Sequence, residues 1–487
     1  MNNKVKLSDI RQYHAVLSSA LITDKDKMNI TSILALLVSS NYKEFATKYE
    51  ELIVNDLASP SESLVELAVE YLTSLAIDPV FEEKIITLWN TTKLTTSYNI
   101  VMQGETKLNI IRIIESFIYG PMTHLTNAND TVDFIGQMFA NINGHGANGE
   151  TGIVLTPYFI TDIMADLLEL DYKVDSIIDG ACGSGSFLVA AYTKMAEQLA
   201  EDKPNLTAEE YAAYSSRLVN SIYGNDLNDQ MALLTLTNFI LLGLNIGNIS
   251  NKDIFNIDAT YFNIHSINKG ILNPPFESKP IRFVNHIISN IAAETNTLTK
   301  KFIVIVPPQS MSKESSVLTS ILKQATLKAV IEVQENTFIE SKVNYGTSIF
   351  LFDIGKAHTV EDKVIYYDFT DSGYEYYKDS GLVDKYNTYK TKEEILINYI
   401  KNPANYNKPS TRTWTTFFDI PKVNNFEISI DPDKIKNKDV EETDLTKANQ
   451  EIKKILSEKK ELIDSVNNKI PATPEFIDYL VDVLSEV

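Results

Sequence analysis

The sequence predicts an α/β protein, with a mainly parallel sheet between an N-terminal helical domain and a C-terminal helical tail. Three observations lead there. From about residue 150 to 355, short apolar runs alternate with segments of helical periodicity, the signature of strands joined by crossover helices. Within that region, Asp179-Gly180-Ala181-Cys182-Gly183-Ser184-Gly185-Ser186-Phe187 follows the apolar Val174, Ile177 and Ile178 and opens the helix-forming run Leu188 to Met195. That order is strand, tight glycine turn, helix N-terminus. Before it, apolar positions recur at helical spacing through Ile30, Ile33, Leu34 and Leu37, and again through Leu64, Leu67, Ala68 and Leu72.

The elements follow in chain order. Residues 1–145 read as a helical N-terminal domain, with Ser61 just after Pro60 as one helix start. This part carries no histidine pair and no glycine loop, so it is read as a packing or partner-binding domain. The polar, glycine-rich Asn141 to Gly149 is a connection or active-site flap. Residues 146–355 form the catalytic domain, with strands expected at Ser176–Asp179, Ser221–Tyr223, Gly270–Leu272, Phe302–Val306, Lys328–Glu332 and Thr347–Phe352. The segment Ala232–Leu244 reads as a crossover helix. Residues 356–430 turn polar and form an extension of that domain. The tail, 431–487, carries Ile452, Leu456, Ile463, Val466 and Ile470 at helical spacing, which makes Leu445–Ile470 a candidate assembly helix.

Composition sets limits. The chain of 487 residues is long enough for two or three domains. Its single cysteine, Cys182, excludes an internal disulfide and a cysteine-built zinc site, and six scattered histidines show no metal spacing. The polar Met1 to Tyr13 lacks a signal-peptide core, and no apolar run spans a bilayer; a soluble, cytoplasmic protein without membrane contact is expected. The net charge is −21. A protein that grips nucleic acid alone usually shows a basic surface, so either positive charge is concentrated locally or a partner supplies it.

The chemistry gathers at the ends of the expected strands. Gly183 and Gly185 can take backbone angles closed to other residues, and the helix behind them offers free N–H groups. The spacing is G-x-x-G-x-G, not the dinucleotide G-x-G-x-x-G. Thr156-Pro157 stands upstream at a helix start, Tyr223-Gly224-Asn225-Asp226 closes the next strand, and Asn251-Lys252-Asp253 precedes Ile254-Phe255. Asn273-Pro274-Pro275-Phe276 directly follows Ile271-Leu272. A proline pair cannot continue a ladder and leaves carbonyls free to accept. The Asn273 side chain and the Pro274 carbonyl can therefore accept both hydrogens of an exocyclic amine, drawing the nitrogen lone pair out of ring conjugation. Phe276 offers a face on which a flipped-out base can stack. Cys182, inside the glycine loop, is read as a small packed residue rather than a nucleophile. Asp258 and His265 are read as surface residues.

These stretches, with T-P before both D-G-A-C-G-S-G-S-F and N-P-P-F, resemble the gamma-class methyltransferases that methylate adenine N6 in DNA. The resemblance is to the modification subunits of type I restriction–modification systems. It is good over about 130–355, looser over 356–430, and general at the two ends. It implies a Rossmann-like S-adenosylmethionine-dependent methyltransferase sheet, with S-adenosylmethionine as cofactor. Asp179, Ala181 and Gly183 would lie around the methionine moiety and Thr156 on the helix that closes over it. Asp226 would hold the ribose hydroxyls and Asp253 the amino group of the cofactor's adenine. Asn273, Pro274 and Phe276 would hold the target base. The chain departs from the pattern at Gly180, where proline is common, at Ser186, where glycine is common, and within Val306-Pro307-Pro308-Gln309, which lacks the glycine common after the proline there. The insertion Glu197 to Ala213 sets Asp226 unusually far from the glycine loop. Asn344-Tyr345-Gly346-Thr347 fits the family's late loop.

The partners implied are DNA presenting a flipped adenine, and a separate specificity subunit shared by two modification subunits. A restriction subunit can join them. The roughly 135 residues after Phe352 show no recognition domain of their own. Two other classes stay open: a methyltransferase acting on protein glutamine or RNA, and a non-catalytic cofactor-binding assembly subunit.

Overall fold

The computed structural model describes residues 7–20, 22–40, 60–91, 112–122, 133–143, 156–339, 346–377, 381–402, 409–414, 426–430 and 432. The expected helix Leu445–Ile470, most of the Asn141–Gly149 connection, and Asn344 and Tyr345 lie outside the described residues. Met1–Ser312 and Ser316–Lys436 form one compact unit, which carries every element named below.

Among the described residues the chain opens with α1 (Leu7–Ser19), α2 (Asp24–Ser40), α3 (Pro60–Ser74) and α4 (Pro79–Thr91). The periodic residues Ile30, Ile33, Leu34 and Leu37 are all buried, as are Leu64, Ala68 and Leu72. After α5 (Phe134–Asn143) and α6 (Tyr158–Leu167) come β1 (Ile177–Asp179), α7 (Ser186–Asp202), α8 (Ala208–Val219), β2 (Ile222–Asn225), α9 (Asp229–Leu242) and β3 (Ile249–Ser250). Then follow β4 (Lys269–Leu272), α10 (Pro280–Ala293), β5 (Lys300–Val306), β6 (Ala325–Val333) and β7 (Ser348–Ile354). The six strands expected from the sequence are all present, displaced by at most three residues at an end. The insertion before Asp226 is a helix-to-helix turn: α7 runs on to Asp202, and α8 starts at a capping box in which Thr207 and Glu210 satisfy each other's backbone N–H groups.

The polar stretch after 355 is less of an appendage than its composition suggests. It contributes β8 (Lys363–Phe369), a small antiparallel pair β9 (Glu375–Tyr377) and β10 (Gly381–Val383), α11 (Tyr389–Lys401), β11 (Pro409–Trp414) and β12 (Phe426–Ile430). Strands β8, β11 and β12 extend the main sheet, whose order is β11-β12-β8-β6-β7-β5-β4-β1-β2-β3. The run from β3 to β5 is parallel throughout, whereas β7 lies antiparallel to both β5 and β6. Lys363 and Asp368 mask the strand in sequence, yet Val364, Ile365, Tyr366, Tyr367 and Phe369 are buried.

Alternation along the strands divides the core into two layers. Ile177, Ile271, Ile303 and Ile305 face the cluster that contains the N-terminal helices and α9. Ile178, Leu272, Phe302, Val304 and Val306 face the other, which α10 closes with Ile281, Val284, Ile287, Ile288 and Ile291. Because both faces are covered, β5 reads as a continuous apolar run, Phe302 to Val306.

This topology places the site. β1 lies between β2 and β4, so the strand order reverses there, the switch point beyond whose carboxyl ends open α/β sheets bind ligands. Ile178 pairs with Gly270. Asp179 and Asn273 therefore emerge from neighbouring strands at the same edge.

Candidate functional site

The glycine loop turns as its sequence requires. Gly183 and Gly185 have φ of +57° and +88°, the left-handed region that side chains oppose. A Cβ on Gly183 would meet nothing within 4 Å, so the backbone there faces open space. A Cβ on Gly185 would press on Thr235 at 3.2 Å. Gly185 then caps α7, whose first N–H groups open towards the loop.

Around this loop the side chains form one network. Asp179 is fully buried; its Oδ1 accepts from the Ala181 N–H at 3.0 Å, while its Oδ2 is buried and unpartnered. Burial pushes the Asp179 carboxyl up to about 8; the Ala181 N–H opposes the shift and the nearby Asp226 adds to it. Asp226 Oδ2 accepts from the Gly183 N–H at 2.9 Å, and its Oδ1 from the Asn228 N–H at 2.8 Å. Burial raises the Asp226 carboxyl too. Asp179, Ala181, Gly183 and Asp226 are thus brought together despite the long spacing in sequence. Asp253 is exposed, and its Oδ1 accepts from the Phe255 N–H at 3.1 Å.

A second group stands at the end of β4. Asn273 Nδ2 donates to Thr156 Oγ1 at 2.8 Å, and Asn273 Oδ1 is buried with no partner. Pro274 is buried behind it, and Phe276 packs edge-on against the buried Phe338, with ring centroids 6.0 Å apart. Thr347, at the start of β7, and Gln334, just past the end of β6, also bury an unpartnered polar atom at this edge. Gly346 and Thr347 are the described part of the late loop. Pro307 leaves β5 as a strand exit, as its lack of a preceding Asn suggests.

Several supporting residues escaped the sequence reading. Asn225 ties three loops together: its Nδ2 donates to the carbonyls of Gly180 at 3.2 Å and Lys252 at 3.0 Å, and its Oδ1 accepts from Ser250 Oγ at 2.6 Å. From α9, Thr235 Oγ1 donates to the Gly183 carbonyl at 2.8 Å and Asn238 Nδ2 to the Ser184 carbonyl at 2.9 Å. The available signal was a Thr and an Asn three residues apart in an otherwise apolar helix. Leu227 and Phe255, 66% and 45% exposed, are large apolar side chains beside Asp226 and Asp253.

Cys182 is buried, contacts Thr235 Oγ1 at 3.3 Å, and burial drives its thiol well above the usual range. A thiol so placed is a poor nucleophile. Cys182→Ala is therefore expected to keep the methyl transfer that the sequence resemblance implies within about threefold, while costing on the order of 1 kcal/mol of stability. Initial rates and thermal melts check this; a loss above about a thousandfold would reveal a covalent role. Among the described residues no group of three or more His, Cys, Asp or Glu could hold a metal ion, and no helix is long and apolar enough to cross a membrane.

The chain is similar in sequence and in fold to known proteins. The type II restriction enzyme and methyltransferase RM.BcgI of Heyndrickxia coagulans is 31% identical over 280 residues, which is 55% of this chain and 42% of that protein. The chain thus spans less than half of that curated relative. In fold, it is similar to a chain from a study of complex assembly and conformational transition in the type I restriction–modification system, with TM-score 0.59 and 14% identity, covering 95% of this chain and 98% of that one. It is also similar to the methyltransferase subunit of a type I restriction–modification system from Streptococcus thermophilus, with TM-score 0.51 and 14% identity, covering 82% and 94%. Residues 129–452 match the N-6 DNA Methylase family, and over that majority of its length the chain belongs to it.

Proposed function

We propose that this chain transfers a methyl group from S-adenosylmethionine to N6 of an adenine flipped out of DNA. It would act as the modification subunit of a type I restriction–modification complex. The observation that carries the reading is the buried, unpartnered Asn273 Oδ1 next to the Pro274 carbonyl at the carboxyl end of β4. A buried acceptor without a donor costs free energy, so a site that keeps one is built for an incoming donor. An exocyclic amine brings two.

The residues of the first group fit the cofactor. Asp179 Oδ2 is a buried oxygen without a partner, suited to a cationic ligand, and Gly183 faces space where a ligand can approach the main chain. Asp226 retains lone pairs for ribose hydroxyls, and Asp253 would accept from the adenine amino group. Leu227 and Phe255 would supply apolar walls for the adenine ring. When bound, S-adenosylmethionine supplies a methyl group already activated by its positive sulfur. The chain's own residues then need only position and polarise the acceptor. Asn273 and Pro274 draw the amine hydrogens into their acceptors, which frees the nitrogen lone pair, and Phe276 stacks on the base.

Choice of DNA site is assigned to a separate specificity subunit. The net charge of −21 supports this, since phosphate binding wants the opposite sign. So does the similarity in fold, over 95% of this chain, to a chain from a study of type I complex assembly. The described helix α4 meets the ends of β2 and β3, with the Lys84 ammonium donating to Asn251 Oδ1 and lying 3.4 Å from Asp229.

The test is product identity. Labelled S-adenosylmethionine, DNA and the chain co-expressed with its neighbouring genes should yield N6-methyladenine after nucleoside digestion. Label in protein glutamine or in RNA would replace the proposal; cofactor binding without any transfer would make the chain an assembly subunit.

A further inference from the structure

We infer that Thr156 is a positioning residue for the acceptor amide, and that its hydroxyl fixes which end of Asn273 faces the substrate. The inference rests on the methyltransferase reading above. An asparagine amide has a donor end and an acceptor end, and a 180° turn exchanges them. Only the oxygen end can receive the hydrogens of an amine; the nitrogen end would set donor against donor. What holds Asn273 the right way round is the bond from its Nδ2 to Thr156 Oγ1 at 2.8 Å, which leaves Oδ1 buried and unpartnered.

A hydroxyl carries one proton and two lone pairs. Left to itself, the Thr156 hydroxyl can equally donate to a turned amide oxygen. Once its proton is drawn to an acceptor on a ligand, only its lone pairs remain for Asn273. The amide must then offer Nδ2, and Oδ1 faces the substrate. Bonds linked through one hydroxyl also polarise each other.

The backbone makes Thr156 a firm reference point. It precedes Pro157, so its main chain is held out of the helical region. Pro157 itself is extended, with φ −58° and ψ 141°. The helix that follows is anchored from the polar extension. Tyr374 stacks on Phe159 with centroids 4.2 Å apart, the Tyr158 and Tyr374 hydroxyls are bonded, and Tyr389 donates to the Phe159 carbonyl at 2.7 Å.

The experiment compares wild type, Thr156→Val, Thr156→Ala and Thr156→Ser, each co-expressed with the neighbouring genes, by turnover at saturating cofactor and by cofactor Kd. Valine keeps the shape and removes the acceptor. Turnover of the Val and Ala variants should fall about 10- to 100-fold, the effect of one unpaired buried polar group, and serine should restore it to within about threefold. Unchanged turnover in both variants, with the whole effect in cofactor Kd, would overturn the positioning role. So would a serine variant as slow as the others. If Val does not fold, Ala and Ser decide the matter. Wild-type transfer to something other than adenine N6 would instead overturn the functional reading itself.

Discussion

Asn273→Ala is expected to lower methyl transfer by about 10²- to 10³-fold, the range for removing one preorganised group that stabilises a transition state. Cofactor Kd should stay within about threefold of wild type. The two sites separate in the structure: Asn273 ends β4, whereas Asp179, Ala181, Gly183 and Asp226 are joined by their own hydrogen bonds. Substitution leaves the Thr156 hydroxyl without its donor, but a hydroxyl can turn to another partner, so folding should lose no more than about 1 kcal/mol. Steady-state rates and calorimetric titration of the same preparation check this. A variant with full turnover would remove Asn273 from the chemistry, and a parallel collapse of cofactor binding would make it structural.

Asp179→Asn should move stability and affinity in opposite directions. The Asp179 carboxyl is pushed up to about 8, chiefly by burial, against about 3.9 in an unfolded chain. The native state therefore binds the proton more tightly than the unfolded one. Between about pH 4 and 8 the ligand-free protein loses stability as pH rises, by up to about 1.4 kcal/mol per unit from this group. Asparagine removes that ionisation, so the ligand-free variant should melt higher than wild type at pH 8 and show a flatter slope from pH 6 to 8. Cofactor affinity should fall about 10- to 100-fold, as expected when a hydrogen bond to a charged group is lost. In wild type, affinity for the cationic cofactor should weaken as pH drops below 8, because the proton competes for the carboxylate. Thermal melts and titrations at pH 6, 7 and 8 test both halves. An Asn variant that binds as wild type would show that Asp179 serves the fold alone.

Both residues were visible in the sequence because their chemistry depends on local order. A strand, then Asp179 and the glycine turn, then a helix start is a contiguous pattern, as is Asn273 with its proline pair after Ile271-Leu272. The parallel strands were equally plain, since burial on both faces forces continuous apolar runs such as Phe302 to Val306. What stayed hidden depends on distance in the chain. Thr235 and Asn238 look like mild interruptions of an apolar helix until the fold sets them under the glycine loop. Asn225 reads only as the close of a strand until the segments after β1 and at the end of β3 converge on it. Strand β8 is disguised by Lys363, Asp368 and its tyrosines, whose rings bury while their hydroxyl ends stay polar. The link between Thr156 and Asn273 spans 117 positions, and no spacing rule reports it.

The most direct measurement is single-molecule sequencing of host DNA after expressing the chain with and without its neighbouring genes, with Asn273→Ala as control. The account predicts N6-methyladenine at one recurring motif when a neighbour is present, lost in the mutant and absent when the chain is expressed alone. Methylation by the chain alone would contradict the separate specificity subunit. Methylation that survives Asn273→Ala would contradict the central claim that this buried acceptor carries the reaction.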